Sequence, residues 1–133
     1  MSMLYTNSLM MLERAMNFQW TKQNVINDNI VNAETPNYKT KYVTFEEALR
    51  SRIRTAVLNS EKKGKTLMSV RSAIDTSQPQ VHVAEYESTR MDDNGVNIAE
   101  QELEATRNAL QMQYTMDAIN SNLSLMRTLI RGQ

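Results

Sequence analysis

Along the first third of the chain, large side chains recur in alternating steps of four and three. Tyr5, Leu9, Leu12, Met16, Gln19, Gln23, Ile26 and Ile30 keep this rhythm, the 3.5-residue spacing of a helix–helix seam, here with two glutamines at its centre. Met11, Ala15, Phe18 and Val25 lie beside the stripe and widen it. The spacing predicts a helix over residues 6–32, about 40 Å long at 1.5 Å per residue. The last third repeats the pattern more strongly. Ile98, Glu102, Ala105, Ala109, Met112, Met116, Ile119, Leu123, Met126 and Ile130 step by four and three, and only Glu102 breaks the apolar run. Asn97 is placed to cap this helix, with Glu100 as its capping-box partner. Glu100, Glu102 and Glu104 cluster at its start and Arg127 and Arg131 at its end, as the helix dipole prefers. Gly132 supplies the stop. This second helix is about 50 Å long.

The middle of the chain is different. Thr35-Pro36 ends the first helix, because a residue before proline disfavours the helical basin. Thr44 followed by Glu47 reads as another capping box, opening a short helix through Phe45, Ala48, Leu49 and Ile53. Residues 55–80 are rich in Ser, Thr and Lys, with Leu67 to Val70 a weak strand candidate. Val81 and Val83 alternate with polar residues across Gln80 to Glu87, which reads as a strand. Asp92-Asp93-Asn94-Gly95 is a turn before the final helix. The predicted fold is mainly α. Long N- and C-terminal helices pair as a coiled-coil-like hairpin with a small irregular or β insert in the middle. Residues 1–34 and 96–133 form the terminal helical unit; residues 35–95 hold the linker turn, the short helix and the insert. Such a hairpin has few layers of its own. Burying the rest of its stripes requires packing against copies or relatives.

Composition sharpens this picture. The 133 residues include one Trp, two Phe and ten Met, but three Gly and two Pro, with a mean hydropathy of −0.54. Few sharp turns and few core-formers point to a few long helices. Without cysteine there is no disulfide scaffold, thiolate metal site or cysteine nucleophile. Nothing approaches the run of about 20 apolar residues that spans a bilayer. The apolar residues from Leu4 to Met16 are interrupted by Asn7, Glu13 and Arg14, which is not a signal-peptide layout. The expectation is a cytosolic protein, or one exported without a cleaved signal. The formal charge is zero but unevenly spread. Lys39 to Arg71 holds nine Lys/Arg against three Glu, a net of +6, and Glu85 to Glu104 holds seven acids against one Arg, a net of −6. Opposed segments favour complementary contact within a chain or between copies, unless both are simply solvated faces.

Candidate chemistry is sparse. His82 is the sole histidine, on the presumed strand, and no serine sits in a nucleophile-elbow glycine setting. It reads as a half-exposed strand residue. The adjacent acids at Asp92 and Asp93 lack the alternating spacing of a calcium loop, so the cluster is better read as a turn. Three isolated glycines make no phosphate cradle. Lys39, Lys41, Arg50, Arg52, Arg54, Lys62, Lys63 and Lys65 could track a phosphate backbone, but the chain is neutral and shows no recognition module. Seam methionines Met16, Met112, Met116 and Met126 fill a helical core more often than a cofactor pocket. No catalytic residue, metal site or cofactor is expected, and no nucleic-acid partner.

The segment NDNIVNAETPNYK, Asn27 to Lys39, resembles the N-terminal signature of flagellar axial proteins, the family of rod, hook and hook-junction subunits. That signature has the form N-I-A-N-x-x-T-P-G-Y-K. Asn29, Ile30, Asn32, Thr35, Pro36, Tyr38 and Lys39 match it, with Val31 for the usual Ala and Asn37 for the usual Gly. The Asn37 departure is mild. Proline followed by a residue of positive φ makes a type II turn, for which Asn is the usual substitute for Gly. YVTFEEAL, Tyr42 to Leu49, is similar to the V-D-F-x-x-x-L that follows the signature in the short proximal-rod members. Val96-Asn97, Leu110 to Tyr114 and the ending MRTLIRG, Met126 to Gly132, resemble the corresponding C-terminal segments. The likeness covers both ends and leaves residues 55–90 unanchored.

This resemblance implies a structural subunit of the bacterial flagellar basal-body rod. Its terminal helices would self-assemble to link the membrane-ring base to the distal rod. Leu9, Leu12, Met16, Ile26 and Ile30 would form one side of the assembly seam. Met112, Met116, Ile119, Leu123, Met126 and Ile130 would form the other. Implied partners are other copies of itself, other rod proteins, the rod adaptor FliE and the flagellar type III export apparatus, with no direct membrane insertion. The implied location is the basal body in the cell envelope, reached without a cleaved signal, and no catalysis or cofactor is implied. The competing reading is a soluble cytosolic helical adaptor that binds a partner through the same seams.

Overall fold

A computed structural model describes residues 7–61, 66–85, 91 and 93–132, with the side chains of 47, 48, 59–61 and 66–69 excepted. The elements are α1 (Asn7–Val31), β1 (Lys41–Thr44), α2 (Glu46–Glu61), α3 (Thr66–Asp75), β2 (Gln80–Val83) and α4 (Ile98–Arg131). The fold is mainly α, as the two periodic segments predict. The long helices α1 and α4 lie side by side and run antiparallel, Gln19 meeting Thr115 and Asn29 meeting Gln101. The termini of α4 follow the sequence signals. Asn97 is extended and its side chain accepts the Glu100 N–H, while Gly132 adopts the left-handed conformation at φ 70° and its N–H bonds Thr128 O.

The middle segment holds more helix than its composition suggests. The strand expected at Leu67 to Val70 is instead part of α3. The reason is packing: Ile74 of α3 is buried with Phe45, Leu49 and Met10, against half-buried Met11, Phe18, Ile53 and Val70. Phe18 and Phe45 stack with centroids 5.3 Å apart. A ten-residue helix is marginal alone and is held by this shared apolar cluster. The helix expected after Thr44 is present but extends to Glu61. Thr44 itself ends β1, and its hydroxyl lies 2.7 Å from His82 Nε2 rather than serving chiefly as a cap.

β1 and β2 form an antiparallel pair with Lys41 opposite Val83, Tyr42 opposite His82, Val43 opposite Val81 and Thr44 opposite Gln80. The strand at Gln80–Val83 was legible from its alternation; β1 was not. His82 is half-buried and stacks on Tyr42 at 5.3 Å. Among the described residues, no helix is long and apolar enough to cross a membrane.

Candidate functional site

Two features stand out: the corner after α1 and the face where α1 meets α4. The corner is built around Asn29, which is completely buried. Its Nδ2 donates to Lys41 O at 2.8 Å and to Gln101 Oε1 at 2.9 Å. Its Oδ1 accepts the Lys41 N–H at 2.9 Å and the Tyr38 hydroxyl at 3.4 Å. One side chain therefore pairs both backbone groups of Lys41 as a neighbouring strand would, and also reaches α4. All donor and acceptor capacity of the amide is used.

The turn itself follows from its residues. Asn37 has φ 60°, and the Tyr38 N–H bonds Thr35 O at 3.4 Å, closing the turn around Pro36. Asn32 Nδ2 donates to Asp28 O and Thr35 Oγ1 donates to Asn32 Oδ1, which ties the turn to the end of α1. Asn94, almost fully buried, donates to Asn32 O and Thr35 O at 2.9 and 2.7 Å and accepts the Val96 N–H. The Gly95 N–H bonds Tyr38 O at 3.0 Å, and Thr40 Oγ1 donates to Gly95 O at 2.7 Å. The corner is thus latched to the segment leading into α4. Of the signature positions, Asn29 is buried and Ile30, Asn32 and Tyr38 are half-buried. Thr35, Pro36, Asn37 and Lys39 are exposed. Asp93 has φ 56° in the second turn, while Asp92 lies outside the described residues.

The α1–α4 face is more polar than the periodicity implies. Gln101, Asn108 and Thr115 are buried at seven-residue intervals, and Asn122 continues them half-buried. Gln19 Nε2 donates to Thr115 Oγ1 at 2.9 Å, and Asn108 Nδ2 donates to Gln19 O and Gln23 Oε1, each at 2.9 Å. Lys22 Nζ pairs with Glu104 at 2.8 Å, and Arg107 joins the same carboxylate at 3.1 Å. The hydrogen bond from Lys22 is the main reason the Glu104 carboxyl is held below the usual carboxylate range. Partial burial opposes it, and Arg107 assists. The physical reason for this register lies on α1. Gln19, Gln23 and Asn29 face its partner and would strand their amides against a Met and Leu surface.

The expected seam residues therefore divide. On α1, Ile26 is buried and Leu9, Leu12, Met16 and Ile30 are half-buried, while Tyr5 lies outside the described residues. On α4, Met112, Ile119 and Met126 are half-buried beside the polar ladder. Met116 and Leu123 are exposed, and Ile130 is 67% exposed. Sequence periodicity located the stripe but not the one-residue offset that points its second row outward. The heptad of polar residues at 101, 108, 115 and 122 was the available signal. Two acceptors in this face, Gln19 Oε1 and Asn108 Oδ1, have no hydrogen-bond partner among the described residues. Buried polar layers of this kind fix the register of paired helices at a cost in stability.

Among the described residues, no group of three or more His, Asp or Glu is arranged to hold a metal. No family model matches the chain. The chain is, however, similar end to end to a flagellar rod protein. It is 25% identical over 131 residues to the flagellar basal body rod protein FlgB of Bacillus subtilis (strain 168), covering 97% of each chain. The similarity to FlgB spans the insert as well as both terminal helices, so it embraces the corner, the latch and the polar face.

Proposed function

We propose that this chain is a structural subunit of the bacterial flagellar basal-body rod, of the proximal type. It self-assembles through its terminal helices and links the membrane-ring base to the distal rod. The observation that carries this reading is similarity to FlgB along 97% of both chains. The geometry is consistent with it in a specific way. The polar ladder consumes the inner face of α4, and Met116, Leu123, Leu125, Leu129 and Ile130 remain exposed along it. A helix that keeps this much apolar surface after intrachain pairing is suited to further partners.

On this reading the partners are other copies of the chain, other rod proteins, the adaptor FliE and the type III export apparatus. The location is the basal body in the cell envelope, reached without a cleaved signal, and the chain is not an enzyme. The terminal unit of residues 1–34 and 96–133 forms the inner rod. The assembly seam comprises the stripe residues named above, and the Asn29–Lys39 signature is the corner from which residues 35–95 depart.

The test is location combined with one substitution. The chain should co-purify with basal bodies from its native host. Recovery in the cytosolic fraction alone would favour the adaptor reading instead. Leu123→Asp should block rod assembly while costing the isolated chain no more than about 2 kcal/mol and leaving it helical, because the side chain is 37% exposed there. A Leu123→Asp strain that builds normal filaments would sink the proposal, as would normal filaments after truncation from Asn108.

A further inference from the structure

The two ends of the helical hairpin carry complementary surfaces. At one end, the last turns of α4 expose Leu125, Leu129 and Ile130 at 63%, 69% and 67%. Arg127 and Arg131 sit among them, exposed and without an ion-pair partner among the described residues. This end is an apolar knob with two positive charges. At the other end lies a groove of about 400 Å³ between α1, β1 and the start of α4. Apolar Val25, Ile26, Val43 and Ala84 line it together with the carboxylates of Glu100 and Glu104. Lys22 and Lys41 also face the groove, but Lys22 is paired with Glu104 and Lys41 with Asp28. Glu100 has no such partner among the described residues, and exposed Glu85 follows Ala84 directly.

We propose that the C-terminal knob of one copy seats in this groove of the next, so that copies join head to tail. Apolar side chains of the knob cover half-buried Val43 at the groove's mouth, above buried Val25, Ile26 and Ala84, and Arg127 and Arg131 meet Glu100 and its acidic neighbours. Knob and groove cannot meet within one chain. About 42 Å of continuous helix separates Gln101, on the groove, from Leu129, on the knob. Because each copy contributes two different patches, the contact is heterologous and propagates from copy to copy, as a ring or an open filament, rather than closing as a two-fold pair. The charges also argue against an in-register parallel pairing of two α4 helices, which sets acids against acids and arginines against arginines. This inference rests on the reading of the chain as a self-assembling subunit and specifies the joint.

The absence of cysteine makes the test clean. Val43→Cys and Leu129→Cys in one purified chain lie too far apart for an internal disulfide, which needs Cα atoms within about 7 Å. Mild oxidation should therefore yield a ladder of linked oligomers. Arg127→Glu with Arg131→Glu should weaken self-association measured by sedimentation about tenfold, and so should Glu100→Arg. Mixing these two charge-reversed proteins should restore it, since each then offers the other an opposite surface. Circular dichroism would establish that every variant remains helical. No ladder, or no recovery on mixing, overturns the joint. So does a dimer cross-linked through Met116→Cys alone that forms faster than the ladder, which would reveal side-by-side pairing along α4. The rod reading is separable: a chain present in purified basal bodies that forms no ladder fails only the joint. A ladder from a chain absent from basal bodies fails only the rod.

Discussion

Asn29→Ala should destabilise the isolated chain more than any other single truncation of a polar residue on α1. The side chain is fully buried and makes three short hydrogen bonds, two to the backbone of Lys41 and one to Gln101 Oε1. The fourth, from Tyr38, is long at 3.4 Å and contributes little. Truncation removes the amide but leaves the Lys41 N–H, the Lys41 carbonyl and the Gln101 oxygen without a partner. Each stranded buried group costs about 1–3 kcal/mol, and water reaching half-buried Lys41 recovers part of it. The net loss is about 3–4 kcal/mol. With a urea dependence of about 1–3 kcal/mol per molar, the unfolding midpoint should fall by more than about 1 M.

Asn29→Asp separates the hydrogen-bonding account from a packing account. It preserves size and the acceptor side but aims a carboxylate at the Lys41 carbonyl and Gln101 Oε1, which need donors. At neutral pH it should be at least as damaging as alanine. Burial raises the carboxyl's pKa in the folded state, so the folded protein binds the proton first and relative stability recovers as pH falls. The protonated acid then supplies one O–H donor. Asn24→Ala, an exposed position on the same helix, is the control and should change stability by about 0.5 kcal/mol or less. Urea titration followed by helical circular dichroism measures all three. An Asn29→Ala protein within about 1 kcal/mol of the parent would refute the hub, and so would an Asn29→Asp protein that is fully stable at neutral pH.

Three further outcomes follow from the α1–α4 face and its ends. Asn108→Leu should cost about 1–3 kcal/mol, since it leaves Gln23 Oε1 without its donor, partly offset by losing an unpartnered acceptor and gaining apolar contact. A loss above about 3 kcal/mol in urea titration would show that Asn108 supports the fold rather than its register. Lys22→Met should move the Glu104 titration upward, because Lys22 is the leading cause of its depression. The depressed carboxyl contributes stability above its unfolded pKa, and that stability is lost as pH falls through the folded value. Carboxyl NMR reads the shift directly, and an unmoved titration would discount the pair. Gly132→Ala places a Cβ at φ 70° and should cost about 1 kcal/mol locally. Faster amide exchange over Thr128–Arg131 with an unchanged global midpoint is the expected signature; unchanged exchange would dismiss the cap.

Much of the architecture was legible in the sequence because it rests on local chemistry. The Asn97 cap, the Gly132 stop and the positive φ at Asn37 are each set by a residue and its immediate neighbours, whereas α1 already ends at Val31, ahead of Thr35-Pro36. What was not legible depends on distant contacts. α3 is helical through Ile74 packing on Phe45 and Leu49, and nothing in the Ser- and Thr-rich stretch around it announces that cluster. β1 is four residues long, and one of its backbone partners is the Asn29 side chain rather than a strand. The corner residues could be recognised as a group, but the role of Asn94 emerges only when residues 32–35 and 94–96 meet in space.

The α1–α4 face shows the same division most sharply. A step of four and three identifies which residues share a side of a helix; it does not say which of two adjacent rows meets the partner. That choice falls to the polar side chains. Gln19, Gln23 and Asn29 on α1 require donors and acceptors opposite them, and only the row carrying Gln101, Asn108 and Thr115 supplies these. The glutamines that look like blemishes in an apolar stripe therefore select the pairing register. By claiming the polar row of α4 for the hairpin, they also turn Met116, Leu123 and Ile130 outward, away from α1.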